Sequence, residues 1–508
     1  MNRTLPRRGG ERRWDLACYA GLLVGAFFFL WFCSRYTSPL YPRLYGDDAA
    51  YFILTGRMVA DGAVPYVDFF DVKGPLLFFI EAVGQFFLGG RSGAFAVQFV
   101  FLCVTFCLLF ALARLFLSRQ PAMAAVVLTI LLLSATFEGG NLSEEFSLPF
   151  VLLPLLLACR VLVRGSAHPP LYAFVYGICF TLLVLIRATN AAIVCGIFLL
   201  FLFFLLYRRA FRELLQNLGA ALLGMLLAFV PFLLYFGAHN ALWEMFYGTI
   251  GLPFLYSQNG VAERDAGAWM NILHYLSPAF LGIAVGLLYG AKKSWAKGGL
   301  LALCSGVTVV AFLPGNGYLH YCTMTAPLLL LALVFLFDLL RMFKRQWAAG
   351  EQPHARKHSY FGLYAFAAVM VCVCAYFYIE IVDNGIYNDI NYGQQQEQIQ
   401  QTYAEIQYQA AAIPEEERNE VWGYEVPARW FCISGIDPCY PYSFYQEDQR
   451  VLDPKIGDAI DEMLRTDPPK WILVGSGEFT EPTLSQVLSS SYTLVSQKQG
   501  ISLYRQTT

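Results

Sequence analysis

Charge is what this chain has least of. Only 14% of its 508 residues are Asp, Glu, Lys or Arg, and the formal net charge is −2. Bulk charge therefore says nothing about a polyanionic partner, and no nucleic acid is expected. Metal-ligand spacing is missing too. There is no C-x-x-C pair, and most of the 13 cysteines lie inside apolar runs, where a thiol reads as a small buried hydrophobe. No internal repeat of the kind that builds transporters is visible. What is abundant is apolar: 57% hydrophobic residues, 43 Phe among them, and a mean hydropathy of +0.49. Several runs approach the ~20 residues that cross a ~30 Å hydrocarbon core, so the chain reads as a mostly α, polytopic membrane protein.

Positive charge sets the threading. Arg3, Arg7, Arg8, Arg12 and Arg13 precede a first apolar run at about 16–33. That run lacks a small-residue cleavage site and reads as a retained helix with its N-terminus in the cytoplasm. Further runs lie at about 94–117, 121–137, 146–163, 171–186, 190–206, 214–236, 272–290, 299–313, 321–340 and 360–379. If each crosses once, about 11 spans result and cations collect on the cytoplasmic side. These are Arg160 and Arg164; Arg208, Arg209 and Arg212; Lys292, Lys293 and Lys297; and Arg341 through Lys357. The opposite loops hold few, chiefly Arg187 and Arg264. Residues 76–88, LLFFIEAVGQFFL, reach only ~20 Å and read as an interfacial or re-entrant helix within the first outer loop, 34–92. The aromatic-rich stretch at about 237–270 suggests a second interfacial helix.

Beyond about residue 380 the composition turns polar, so a transmembrane domain over 1–380 is followed by a small exoplasmic α/β domain over 381–508. After the polar, helix-like YNDINYGQQQEQIQQTYAEIQ, the segments VWGYEV and KWILVGS read as strands. Asp453-Pro454 reads as N-cap and first-turn proline of a helix over IGDAIDEMLR, and SYTLVSQKQGISLYRQ as a hairpin. Cys432 and Cys439 are near neighbours in CISGIDPC; an exported location permits a disulfide, and two free thiols fit the spacing as well.

Ionisable residues next to hydrocarbon are costly, so those at the exoplasmic ends of spans are the informative ones. Four groups meet on that side by the threading above. They are Asp47-Asp48 with Tyr51; Asp71 and Lys73 in FFDVKGPLL; Asn141 through Glu145 in GGNLSEEF; and Arg187 together with His320-Tyr321. Each alone has a plainer explanation: a solvated helix cap, a hydrogen-bonded interface histidine, a snorkelling arginine. Together they suit sugar transfer. A carboxylate takes the proton of an acceptor hydroxyl, and Lys73, Arg187 and His320 receive a phosphate leaving group.

These motifs resemble a GT-C glycosyltransferase of the bacterial family 39 type, a group that includes protein O-mannosyltransferases and the aminoarabinose transferase of lipid A. The resemblance rests on D-[DE]-x-x-Y after the first helix (Asp47-Asp48-Ala-Ala-Tyr51) and an acid-Lys-Pro element (Asp71, Lys73, Pro75). It continues with a cation closing the fifth span (Arg187), His320-Tyr321 ahead of Pro327, and the tail VWGYEVPARWFCISGIDPCYPYSF. An extra Val separates Asp71 from Lys73, and Gly74 stands where a second proline is usual. The resemblance implies an inverting transferase in the inner membrane, using a polyprenyl-phosphate-linked sugar donor and a lipid, glycan or protein acceptor. Asp47 would be the base, with Asp48 and Asp71 as further catalytic carboxylates. Lys73, Arg187 and His320 would hold the donor phosphate, and Tyr51, Glu144, Glu145 and Tyr321 would line the substrate. Two carboxylates invite a divalent cation, yet many relatives work without one. A transporter or lipid-linked glycan flippase is the alternative, though its charges would sit nearer mid-span.

Overall fold

The computed structural model describes residues 9–41, 45–255, 266–314, 317–348, 364–365, 367–379, 396–475, 482–498 and 500–507. Arg3, Arg7, Arg8, Arg264, the basic residues of 349–357, residues 387–395 of the polar stretch and Ser476 of KWILVGS lie outside them.

Apolar runs become helices because, in hydrocarbon, each backbone N–H and C=O must find its partner within the segment. The N-terminal half contains α1 (Gly9–Cys33), α2 (Asp47–Ala60), α3 (Pro75–Phe87), α4 (Gly90–Arg114), α5 (Arg119–Thr136) and α6 (Ser143–Arg164). Next come α7 (Pro170–Val184), α8 (Ala192–Tyr207), α9 (Phe211–Ala238) and the short α10 (Leu242–Phe246). The bundle closes with α11 (Ala266–Tyr275), α12 (Ser277–Lys292), α13 (Trp295–Phe312), α14 (Ala326–Ala348) and α15 (Ala367–Ile379). Eight of the described helices are long and apolar enough to cross a membrane, nine if the bent pair α11–α12 is one span; α7 and α15 are shorter apolar helices. Each of the eleven expected runs falls on one of these.

Helix ends follow local chemistry. Pro75 and Pro170 open α3 and α7, where a missing N–H costs nothing. Gly165, at φ +63°, closes α6 in the left-handed conformation. Between α7 and α9, Gly177 lets the backbones touch: a Cβ there would stand 2.0 Å from the Ala221 carbonyl oxygen. The expected short helix at 76–88 is α3, and its Phe86 and Phe87 stay exposed, an apolar edge suited to lipid. The acidic segment ahead of it is itself half helical, as α2.

The C-terminal part comprises α16 (Gln396–Ala411), β1 (Val421–Tyr424), α17 (Ala428–Ser434), α18 (Gln446–Leu452), α19 (Pro454–Thr466), β2 (Trp471–Val474), α20 (Pro482–Ser491), β3 (Tyr492–Lys498) and β4 (Ile501–Gln506). Its sheet runs β1-β2-β4-β3, parallel between β1 and β2 and antiparallel elsewhere. The anticipated strands, hairpin and capped helix are all present, and Asp453 accepts the Lys455 N–H at 3.0 Å as the N-cap of α19. Cys432 and Cys439 are both free thiols; the Cys432 thiol donates to the Ala50 carbonyl.

This part is not a loosely tethered appendage. Phe52, Phe69 and Phe70 of the acidic segment share one apolar core with Trp422, Phe431 and Phe444. The Phe70 N–H donates to Pro441 O at 3.1 Å, and Arg57 pairs with Asp437 at 2.5 Å. The sheet domain is thereby seated directly on the α2–α3 segment.

Candidate active site

The site is assembled from segments far apart in sequence, at the end of the bundle where the sheet domain docks. Its organising contact is between backbones. Gly74 N–H donates to Ile186 O, and Leu76 N–H to Leu185 O, both at 2.9 Å. These bonds fix Lys73 beside Arg187. They also account for Gly74, because a Cβ there would lie 2.1 Å from the Leu185 carbonyl oxygen. A proline at this position would clash and would lose the N–H as well.

Lys73 lies between two carboxylates, its Nζ 3.7 Å from Asp48 Oδ1 and 3.9 Å from Asp71 Oδ2, and 4.9 Å from the centre of the Phe52 ring. Burial would lower its pKa, but the two acids outweigh that and push it up. Burial also works against charge on Asp48, yet Lys73, His320 and Arg187 together hold its carboxyl below the usual carboxylate range. Asp71 goes the other way: burial raises it, against Lys73 and the Val72 N–H. Its Oδ1 accepts that N–H at 2.7 Å, while its buried Oδ2 has no hydrogen bond. Tyr66, at φ +68°, clamps the loop by donating to the Lys73 carbonyl at 2.6 Å.

Arg187 forms the second cationic post. It donates to Glu144 Oε1 at 2.8 Å and to the Tyr321 hydroxyl at 2.6 Å, with its guanidinium 4.3 Å from the centre of the Tyr321 ring. Glu144 is almost fully buried and accepts a further bond from Ser143 Oγ at 2.9 Å. His320 stacks on Tyr318 and pairs with Glu138 at 2.6 Å.

Asp48, Asp71, Lys73, Glu144, Arg187, His320 and Tyr321 therefore converge. Three expected site residues do not. Asp47, expected as the base, is largely exposed and faces Arg429 of the sheet domain at 3.7 Å. Successive helix residues point about 100° apart, so the first turn of α2 can aim only one of the acidic pair inward. Tyr51 is buried with its hydroxyl on the Phe70 carbonyl, bracing the loop rather than lining the opening. Glu145 accepts Gln98 at 2.7 Å and the Leu142 N–H at 3.1 Å, closing the start of α6 as a cap. Sequence reasoning missed Glu138 and, in the sheet domain, Tyr445; the aromatic run YPYSFY was the signal for the latter.

The residues present make a poor cage for a divalent cation. Among the described residues no three His, Cys, Asp or Glu side chains are close enough to hold one ion jointly, and Lys73 takes the position between Asp48 and Asp71 that such an ion would need.

An apolar groove of about 390 Å³ lies next to this centre. It runs along α7, α9 and α10, lined by Phe180, Val184, Leu185, Met225, Phe229 and Thr249 among others. Its inner wall is continuous with the site, since Leu185 accepts the Leu76 N–H and the Thr249 hydroxyl lies 3.3 Å from that of Tyr66.

Among curated proteins, no sequence matches. Among solved structures, the chain is similar to ArnT from Cupriavidus metallidurans bound to undecaprenyl phosphate. The identity is 13%, with 96% of this chain and 97% of that chain covered, at a TM-score of 0.57. For the apo state of the same protein the values are 14%, 98%, 98% and 0.54. At such low identity the likeness speaks for the fold alone, which this chain shares with that ArnT over nearly the full length of both chains. A family model matches residues 15–343, so the chain belongs to the family described as "putative competence-induced protein Ccs4 N-terminal domain".

Proposed function

We propose that this protein is a membrane glycosyltransferase that moves a sugar from a polyprenyl-phosphate donor to an acceptor hydroxyl, inverting the anomeric centre, at the exoplasmic face of the inner membrane. The observation that carries this reading is the pair of cations Lys73 and Arg187, set among carboxylates next to an apolar groove whose wall includes Leu185, two residues from Arg187. A prenyl tail suits the groove. A phosphate suits the two cations, Arg187 offering a planar fork and Lys73 a point charge. The GT-C fold, shared with a protein that was solved with undecaprenyl phosphate, supports the same assignment.

The reaction follows from the charges. The acceptor oxygen attacks the anomeric carbon and gives its proton to Asp48. The bond from that carbon to the phosphate oxygen breaks, and its electron pair leaves with the polyprenyl phosphate. Lys73 and Arg187 stabilise the charge that develops there. Asp48 is a weak base while Lys73, His320 and Arg187 hold its pKa down. A donor phosphate that engages Lys73 and Arg187 relieves this hold, so the base strengthens once the donor is bound. Asp71 keeps Lys73 in place from behind, and Glu144 and Tyr321 do the same for Arg187.

The test uses purified protein in lipid nanodiscs with a panel of undecaprenyl-phosphate monosaccharides, reading undecaprenyl phosphate released on addition of membrane extract as acceptor source. Wild type should release it from at least one donor, and Asp48→Asn should not. Turnover by Asp48→Asn at the wild-type rate would remove the base.

A further inference from the structure

Tyr445 is the one described tyrosine that opens a helix from a left-handed backbone, at φ +54° and ψ +40° ahead of α18. A bulky residue there is strained by roughly 1–3 kcal/mol, and such strain persists only where the surroundings impose it. Here they do. Gln446 is fully buried and donates to the Gly423 carbonyl at 2.6 Å and the Tyr442 carbonyl at 3.1 Å, while its Oε1 accepts the Glu425 N–H at 2.9 Å. Glu425, itself at φ +53°, returns its carboxylate to the Glu447 N–H at 2.9 Å. On the other side, Phe444 is buried edge-on against Tyr51 of α2, with ring centres 5.1 Å apart. Both neighbours of Tyr445 are thus locked, yet the Tyr445 side chain is left about half exposed. Tyr51 lies one turn along α2 from Asp48, so the Phe444 contact sets this segment beside that acid, and burial, then Asp48, raise the Tyr445 phenol's pKa against Lys73.

We propose that Tyr445 is a positioning residue contributed by the sheet domain, and that its phenol holds the sugar of the lipid-linked donor over Asp48 and Lys73. This rests on the function proposed above and names what that reading leaves open, the side of the site that meets the glycosyl group. The strained backbone is then the cost of presenting one aromatic hydroxyl at the rim. A phenol has both a donor and an acceptor for sugar hydroxyls and an apolar face for the ring. The phosphate is held elsewhere, by Lys73 and Arg187, so the two contributions separate in a binding experiment.

Undecaprenyl phosphate, bare and as a panel of hexose and pentose monoesters, is titrated into wild type, Tyr445→Gly and Tyr445→Phe in nanodiscs, alongside thermal melts. Wild type should bind at least one glycosylated carrier more tightly than the bare one. Tyr445→Gly should melt higher than wild type, because glycine accepts positive φ, and should lose about tenfold in that preference with bare-carrier affinity unchanged. Tyr445→Phe should melt like wild type and lose part of the preference. A Tyr445→Gly protein that keeps the full preference overturns the proposal, as does equal loss for both carriers or a wild type that does not distinguish them. A wild type that binds neither carrier overturns the function beneath it as well.

Discussion

Two polar clusters lie side by side where the sheet domain meets the bundle, and only one contains cations. In the first, Asp48, Asp71 and Glu144 surround Lys73 and Arg187 beside an apolar groove. In the second, Glu145 accepts Gln98, and Gln98 accepts Thr37 at 2.5 Å and Ser34 at 3.3 Å, all in the interior. Glu81 of α3, fully buried, faces Asn141 there without a well-formed hydrogen bond. Glu144 and Glu145 are chain neighbours, yet each serves a different cluster. On the proposed mechanism, a carboxylate here is prepared for proton transfer only where neighbouring cations favour its ionised form, as they do at Asp48. The closed cluster has amides and hydroxyls instead, which hold a carboxyl in place without preparing it for chemistry.

The largest effect should come from dividing an acidic pair across this boundary. Asp48→Asn should lower transfer by about 10²–10⁴-fold, the range for losing a general base, while Asp47→Asn should stay within about twofold. Radiolabelled donor turnover by the two variants, at matched folding, checks this. If both fall equally, exposure does not decide which acid reacts.

Next in size is Arg187→Met. It strands the buried Glu144 and should cost roughly 3–5 kcal/mol of stability as well as activity. Adding Glu144→Gln should restore most of the stability and none of the turnover. Denaturation and transfer assays on the single and double variants separate the two roles. Recovery of turnover in the double variant would make Arg187 a structural partner only.

The smallest effect should come from the closed cluster. Burial lifts the Glu81 carboxyl to about 8, from an ordinary value of 4.5. The folded state then holds this proton more tightly than the unfolded one. Its contribution is full below 4.5, declines as pH rises towards about 8, and levels off above that. Glu81→Gln should flatten this decline and gain on the order of 2 kcal/mol at the alkaline end, with transfer largely unchanged. Melting curves across that window give the answer; an unchanged slope would mean that Glu81 is already ionised in the fold.

The sequence carried the bundle well, because each crossing needs an unbroken apolar run. It also brought Asp48, Asp71, Lys73, Glu144, Arg187, His320 and Tyr321 to one end through charge placement alone. Which acid of each pair faces the cations was not legible. Asp47 and Asp48, or Glu144 and Glu145, differ by one residue, and helix phase decides between them only once the helix start is known. Tyr51 was out of reach for a related reason, since its hydroxyl is taken by Phe70 across a turn that no pattern announces. Tyr445 depends on docking between segments nearly 400 residues apart in the chain, the one kind of contact a local pattern cannot encode.

On the proposed function, Lys73 and Arg187 receive the phosphate of a prenyl carrier. Determining the structure of this protein with undecaprenyl phosphate in nanodiscs tests it most directly. Phosphate density should contact both side chains, with a tail running along α7 and α9 past Val184 and Met225. Phosphate density elsewhere, with Lys73 still held between Asp48 and Asp71, would contradict it.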